Sequence, residues 1–166
     1  MTQRRLLYWA LVGGMLIFYL VMVIWSLPNI SDAAGGLVAF DLRPTGYSLT
    51  EAQEFLAALS PDATKFYLNT QQRLDMVYPA LLTATLGFGL WHLTAGWPGV
   101  VRWLLVGVAL LGGGADYLEN FHVAAMLRAG VDNIDAAMVQ AASGATVLKS
   151  AATTVALVSL LGLLLV

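Results

Sequence analysis

The densest group of reactive side chains in this chain is the run Asp116-Tyr117-Leu118-Glu119-Asn120-Phe121-His122, with Lys149 as the only cation in the hydrophobic segment that follows. Three chemistries fit these residue types. Glu119 and His122 have the Glu-x-x-His spacing with which di-iron helical bundles hold metal, but those sites combine two such motifs with further carboxylates. Here there is one motif and only two histidines, so no metal site is expected. Asp116, Glu119 and His122 are also the candidate catalytic set for acid–base work on a lipid-like substrate, because burial and the Lys149 charge would give neighbouring carboxyl groups unequal proton affinities. The third reading is structural: an ion pair and amide network that fixes helix register.

The setting gives these residues their weight. Of 166 residues, 59% are hydrophobic and 11% charged, against about 25% charged in an ordinary soluble domain. A charge placed in hydrocarbon costs several kcal/mol unless it finds a partner or water, so Asp116 and Lys149 are functional candidates by position alone. The net charge of −2 and the lack of a basic run exclude nucleic acid as a partner. Cysteine is absent, which excludes disulfides, thiolate metal sites and cysteine nucleophiles. No phosphate loop, dinucleotide fingerprint or other motif identifies a cofactor, which stays unknown.

Four apolar segments follow from length. Leu6–Leu27 carries no charge over 22 residues, Met76–Ala95 is the second, Val100 to about Leu118 the third, and Thr146–Val166 the fourth. Each is near the 20 residues that cross a hydrocarbon core about 30 Å thick. The aromatic residues Tyr8, Trp9, Trp25, Tyr78, Trp91, Trp97 and Trp103 lie near the segment ends, as interfacial belts do. The first segment is read as a retained anchor, its apolar run being longer than that of a signal peptide. Arg4, Arg5 and Arg102 flank one side, while Pro28 to Asp75 holds six acids and three bases. The basic side is cytoplasmic by the usual bias, so both termini are expected inside, in a plasma or inner membrane. Asn29-Ile30-Ser31 matches a glycosylation sequon and is read as chance, since it abuts the membrane.

Outside the membrane, Pro28 to Gly46 reads as irregular, with Gly35-Gly36 and Arg43-Pro44 as breakers. Ser48-Leu49-Thr50-Glu51 has capping-box spacing and predicts a helix over Leu49–Leu59. Ser60-Pro61-Asp62 starts another that runs into the second span, where Pro79 should kink it. Asp132 or Asn133 is expected to cap the fourth helix, and the third should end before Gly130. The fold expected is an all-α membrane protein: one four-helix transmembrane domain over 1–166, with an extracytoplasmic helical cap formed by residues 28–75 and the extended ends of helices 3 and 4.

Counted from the inner ends of their helices, Asp116 and Lys149 lie at one depth, about 25 Å in, so an ion pair is expected. The predicted network is Asp75, Asp116, Glu119, Asn120 and Lys149, with Arg73 joining at the outer mouth. Small residues Ala142, Ala145, Ala152 and Ala156 share a face with Lys149 and turn it into the bundle. Gly112-Gly113-Gly114 either packs helices closely or leaves room for a ligand. His92, beside Trp91, reads as an interfacial residue at the other end of the bundle, too far from His122 to share a haem.

Four spans with an enlarged first outer loop resemble claudin-like and sterol-isomerase-like membrane proteins in architecture alone; the claudin loop signature has two cysteines, and this chain has none. The function expected is a binding or partner module for a lipid-like ligand or a larger membrane complex, with membrane lipid, a membrane-protein partner or a second copy as partners. A membrane-embedded enzyme acting on an amphiphile is the alternative. A channel or transporter fits less well, since four spans make a small pore and no inverted repeat is visible.

Overall fold

A computed structural model describes residues 2–165, which are all-α with no strand among them. Five helices follow in order: α1 (Gln3–Ala33), α2 (Leu49–Ala58), α3 (Pro61–Leu93), α4 (Gly99–Ala129) and α5 (Ala136–Leu164). All but α2 are long and apolar enough to cross a membrane, the mark of an integral membrane protein. At 1.5 Å per residue these four run about 45–50 Å, well beyond a hydrocarbon core of about 30 Å. Their exposed large apolar side chains are confined to a narrower band: Leu6 to Trp25 on α1, Met76 to Leu93 on α3, Val100 to Phe121 on α4 and Val147 to Leu164 on α5. Each stretch is about 20 residues, the depth of that core. The excess length of α3, α4 and α5 lies at one end, which we call the cap end.

The long helices alternate in direction. Tyr8 stacks on Phe88 and Tyr19 packs on Tyr78 between α1 and α3; Trp91 packs on Trp103 between α3 and α4. α4 and α5 form the closest pair in the bundle, whereas α1 leans on α3 and barely touches α5. That uneven packing creates the cavity described below.

Local chemistry accounts for the helix ends. α1 does not stop at Leu27 as expected but continues through Pro28 to Ala33. A wide π-helical turn at Met22–Ser26 already interrupts the i→i−4 ladder there, so the missing proline N–H costs little. Residues 28–33 therefore belong to α1, and the irregular stretch begins later. Gly35 and Gly36 then turn the chain, at φ +66° and +89°, a region closed to most side chains. α3 passes Pro79 unbroken; its departure from α geometry is a second wide turn at Tyr67–Gln71, beside the first. The expected caps Asp132 and Asn133 lie instead in a short 3-10 turn, and the Asn133 amide donates to the Ala129 carbonyl at the end of α4 (2.9 Å). α5 is capped by Asp135, which accepts from the Met138 N–H at 2.8 Å.

The capping box of α2 forms as the spacing predicts. The Ser48 hydroxyl accepts from the Glu51 N–H (3.3 Å) and the Glu51 carboxylate accepts from the Ser48 N–H (2.7 Å). These bonds hold the Glu51 carboxyl below its ordinary pKa. The stabilisation is therefore present above the ordinary glutamate range and is lost as pH falls through the lowered value. Ser48→Ala is expected to destabilise the cap by about 1 kcal/mol, seen as a lower thermal midpoint in detergent with helix content unchanged before the transition.

The cap is a packed layer, not a loose loop. Phe40 packs on Tyr47 and on Phe55 (ring centroids 4.7 Å each), and Phe55 packs edge-on to Tyr67. This aromatic core continues into Val123 and Met126 of α4 and Val139 of α5. Gly46, at φ +83°, lies so close to Ser143 that any side chain would strike its hydroxyl, and the next N–H, of Tyr47, donates to that hydroxyl at 2.8 Å. The segment after α1 is thereby fastened across the end of α5.

Candidate binding site

The register of α4 against α5 positions the charged residues. Gly112 lies against Thr153, Asp116 opposite Lys149, and Glu119 opposite Thr146. A Cβ on Gly112 would come within 2.8 Å of the Thr153 hydroxyl and 3.2 Å of its backbone nitrogen. Glycine there is what lets the two backbones approach, as in small-residue membrane interfaces. Ala142, Ala145, Ala152 and Ala156 are all buried, so the face that carries Lys149 does turn inward.

Lys149 pairs with two carboxylates. Its ammonium lies 3.7 Å from Asp116 Oδ1 and closer still to Glu119 Oε2. The nearer partner is one turn away from the residue directly opposite. Side chains on a helix lean toward its own N-terminus. Lys149 on α5 leans toward the cap and Glu119 on α4 leans away from it, so the two converge, while Asp116 leans away from the amine. Glu119 is completely buried and also accepts from the Thr146 hydroxyl at 2.5 Å.

From this pair a polar chain crosses the bundle. The Asn120 amide donates to the Asp75 carbonyl (3.2 Å) and to Asp116 Oδ1 (3.4 Å). The Gln71 amide donates to both Asp75 carboxylate oxygens (3.0 and 3.1 Å) and accepts from the Ser26 hydroxyl of α1 (2.6 Å). All four long helices are thus joined at one level. Within this layer Asn120 Oδ1 has no hydrogen-bond partner among the described residues, and Glu119 Oε2 has none but the Lys149 ammonium. Asp41, in the 3-10 turn Phe40–Leu42 of the cap, accepts from the buried Tyr67 hydroxyl and brings a further carboxylate to the same region.

One side of this polar layer faces a cavity of about 470 Å³. Its inner wall carries Asp75, Asp116 and Lys149, its roof Asp41 and Pro44. Tyr78 and Leu82 of α3, Met22 and Leu27 of α1, and Ser150 and Thr153 of α5 complete the lining. The rim is made by exposed residues of α1 (Tyr19 and Val23) and of α5 (Thr154). The opening therefore lies between α1 and α5, the two long helices that hardly pack on each other. Its lining is largely apolar, with the charged groups gathered on the inner wall and roof.

The residues picked out above divide into three groups. Asp75, Asp116 and Lys149 line the cavity; Glu119 and Asn120 stand behind that wall and hold it. Arg73 does not join them: it is exposed and forms no ion pair among the described residues. It sits two residues from buried Asp75, about 200° around the helix, so one faces in and the other out. His122 is also outside the network, half-buried and beside Phe121 with no hydrogen bond among the described residues. Its spacing from Glu119 is right for a shared ligand, but Glu119 is already committed to Lys149 and Thr146. His92 lies at the other end, stacked on Phe88 with Nδ1 2.9 Å from that residue's carbonyl.

Asp41, Gln71, Ser26 and Thr146 join the site from outside the sequence-predicted set. Gln71 and Thr146 had a signal, since they stand four residues before Asp75 and three before Lys149, on the same helix faces. Asp41 and Ser26 had none, because only the folded cap and the α1–α3 contact bring them near. Comparison of the chain with protein-family models, with curated proteins and with solved structures finds no match.

Proposed function

We propose that this protein is a membrane binding module that holds the polar end of an amphiphile in the cavity between α1 and α5, while the apolar part stays among the acyl chains. The observation that carries this reading is the cavity itself, about 470 Å³, with Asp75, Asp116 and Lys149 on the inner wall of an otherwise largely apolar lining. Ligand sites are concave, mostly apolar and carry a few convergent polar groups. The polar layer also falls beside Met76, Phe121 and Val147, where the exposed apolar band ends. The charges would then sit just beneath the headgroups, an intramembrane ion pair reachable from the outer leaflet.

Orientation follows from the basic residues. Arg4, Arg5 and Arg102 crowd the short end away from the cap, while Arg43, Lys65, Arg73 and Arg128 are spread over the longer cap. The inside bias of basic residues in short flanks supports cytoplasmic termini and a cap outside a plasma or inner membrane. The cavity wall and roof offer three carboxylates to one ammonium. A head rich in hydrogen-bond donors, or cationic, fits that balance better than an anionic one.

The test is native mass spectrometry of the protein extracted with its surrounding lipid. A discrete small amphiphile is expected on the unaltered protein and is expected to be lost from Ser150→Trp, which fills the cavity from the α5 wall. Equal occupancy in both proteins, with Ser150→Trp folded by circular dichroism, sinks the reading, as does a spectrum with only bulk lipid.

A further inference from the structure

A second cavity, of about 590 Å³, lies at the opposite end of the bundle where α1, α3 and α5 converge. Its chemistry is the reverse of the first. The charged residues on its lining are Arg4 and Arg5, both exposed and neither in an ion pair among the described residues. The floor is aromatic: Tyr8 stacks on Phe88 (5.8 Å), and Phe88 stacks on His92 (4.0 Å). Gly89 makes the floor possible, since a Cβ there would come within 3.2 Å of the Tyr8 hydroxyl and 2.7 Å of Leu160 of α5. Leu164 closes the far side and is itself 58% exposed.

We propose that this groove binds an anionic phospholipid of the leaflet on the side of the chain termini. Guanidinium groups present forked donors that match phosphate oxygens, and these two face no carboxylate among the described residues. The Tyr8 hydroxyl, which makes no hydrogen bond among the described residues, adds a donor at the same level. The aromatic floor and Leu164 then lie along the acyl chains. A zwitterionic lipid brings its own ammonium close to the two arginines and is disfavoured. The site does not depend on the ligand proposed for the cap-end cavity.

The experiment is a native mass-spectrometry titration with phosphatidylglycerol and with phosphatidylcholine of the same chains, in the presence and absence of inorganic phosphate. The unaltered protein is expected to retain phosphatidylglycerol selectively, and millimolar phosphate is expected not to displace it. Arg4→Gln with Arg5→Gln should weaken phosphatidylglycerol binding roughly 30-fold, from about 1 kcal/mol for each basic residue near an anionic surface. Leu164→Trp, which keeps both arginines and narrows the groove from its exposed side, should also abolish the selectivity. If only the arginine variant loses it, the effect is general surface charge and the site is refuted. Loss in the Leu164→Trp protein alone, displacement by free phosphate, or no selectivity in the unaltered protein also overturns it.

Discussion

Lys149→Met is expected to destabilise the folded protein by about 3–5 kcal/mol, the cost of leaving a buried charge without its partner. Glu119 is the reason. It is fully buried, and its Oε2 has no partner among the described residues other than the ammonium. Lys149→Met with Glu119→Gln should recover most of the loss, because removing a buried pair together is often close to neutral. Asp116→Asn alone should cost far less, since Asp116 stands 3.7 Å from the amine and faces the cavity. Denaturant titration of the three variants in one detergent reads the order directly. Equal loss in the single and double variants would contradict the assignment of Glu119 as the principal counter-ion.

The second large effect separates three adjacent glycines. Gly112→Ala should destabilise by about 1–3 kcal/mol, the usual cost of overpacking, because the added carbon meets the Thr153 backbone, which cannot yield without parting α4 from α5. Gly113→Ala runs into the Thr83 hydroxyl and meets its Cβ at 3.2 Å, but turning that side chain relieves the contact without parting the helices, so it should cost less. Gly114→Ala meets nothing and should stabilise the helix by up to about 1 kcal/mol. The same unfolding measurement distinguishes them. None of the three lines the cap-end cavity. Of the two explanations open for this run, close packing holds for Gly112.

Some of this architecture could be read from residue order because it is periodic or local. The apolar segments, the Ser48–Glu51 box and the turn at Gly35-Gly36 depend on neighbours within a few residues. The common level of Asp116 and Lys149 needed only the helical rise. Which carboxylate meets the amine needed the lean of side chains along antiparallel helices. Arg73 and His122 stand close to the network in the chain, but closeness in the chain is not a shared face. The extension of α1 past Pro28 depended on a wide turn that has no sequence mark. The cavity was the least legible feature. It arises from a gap between α1 and α5 and from Asp41 folding over it, both long-range outcomes of packing.

The most direct test of the account is an experimental structure of the protein in a lipid bilayer, at a resolution that resolves bound amphiphiles. The account predicts density in the space between α1 and α5, its polar end within hydrogen-bond reach of Asp116 or Lys149 and its tail leaving past Tyr19 and Thr154. A structure in which α1 closes onto α5 and leaves no space beside those two charges would contradict it.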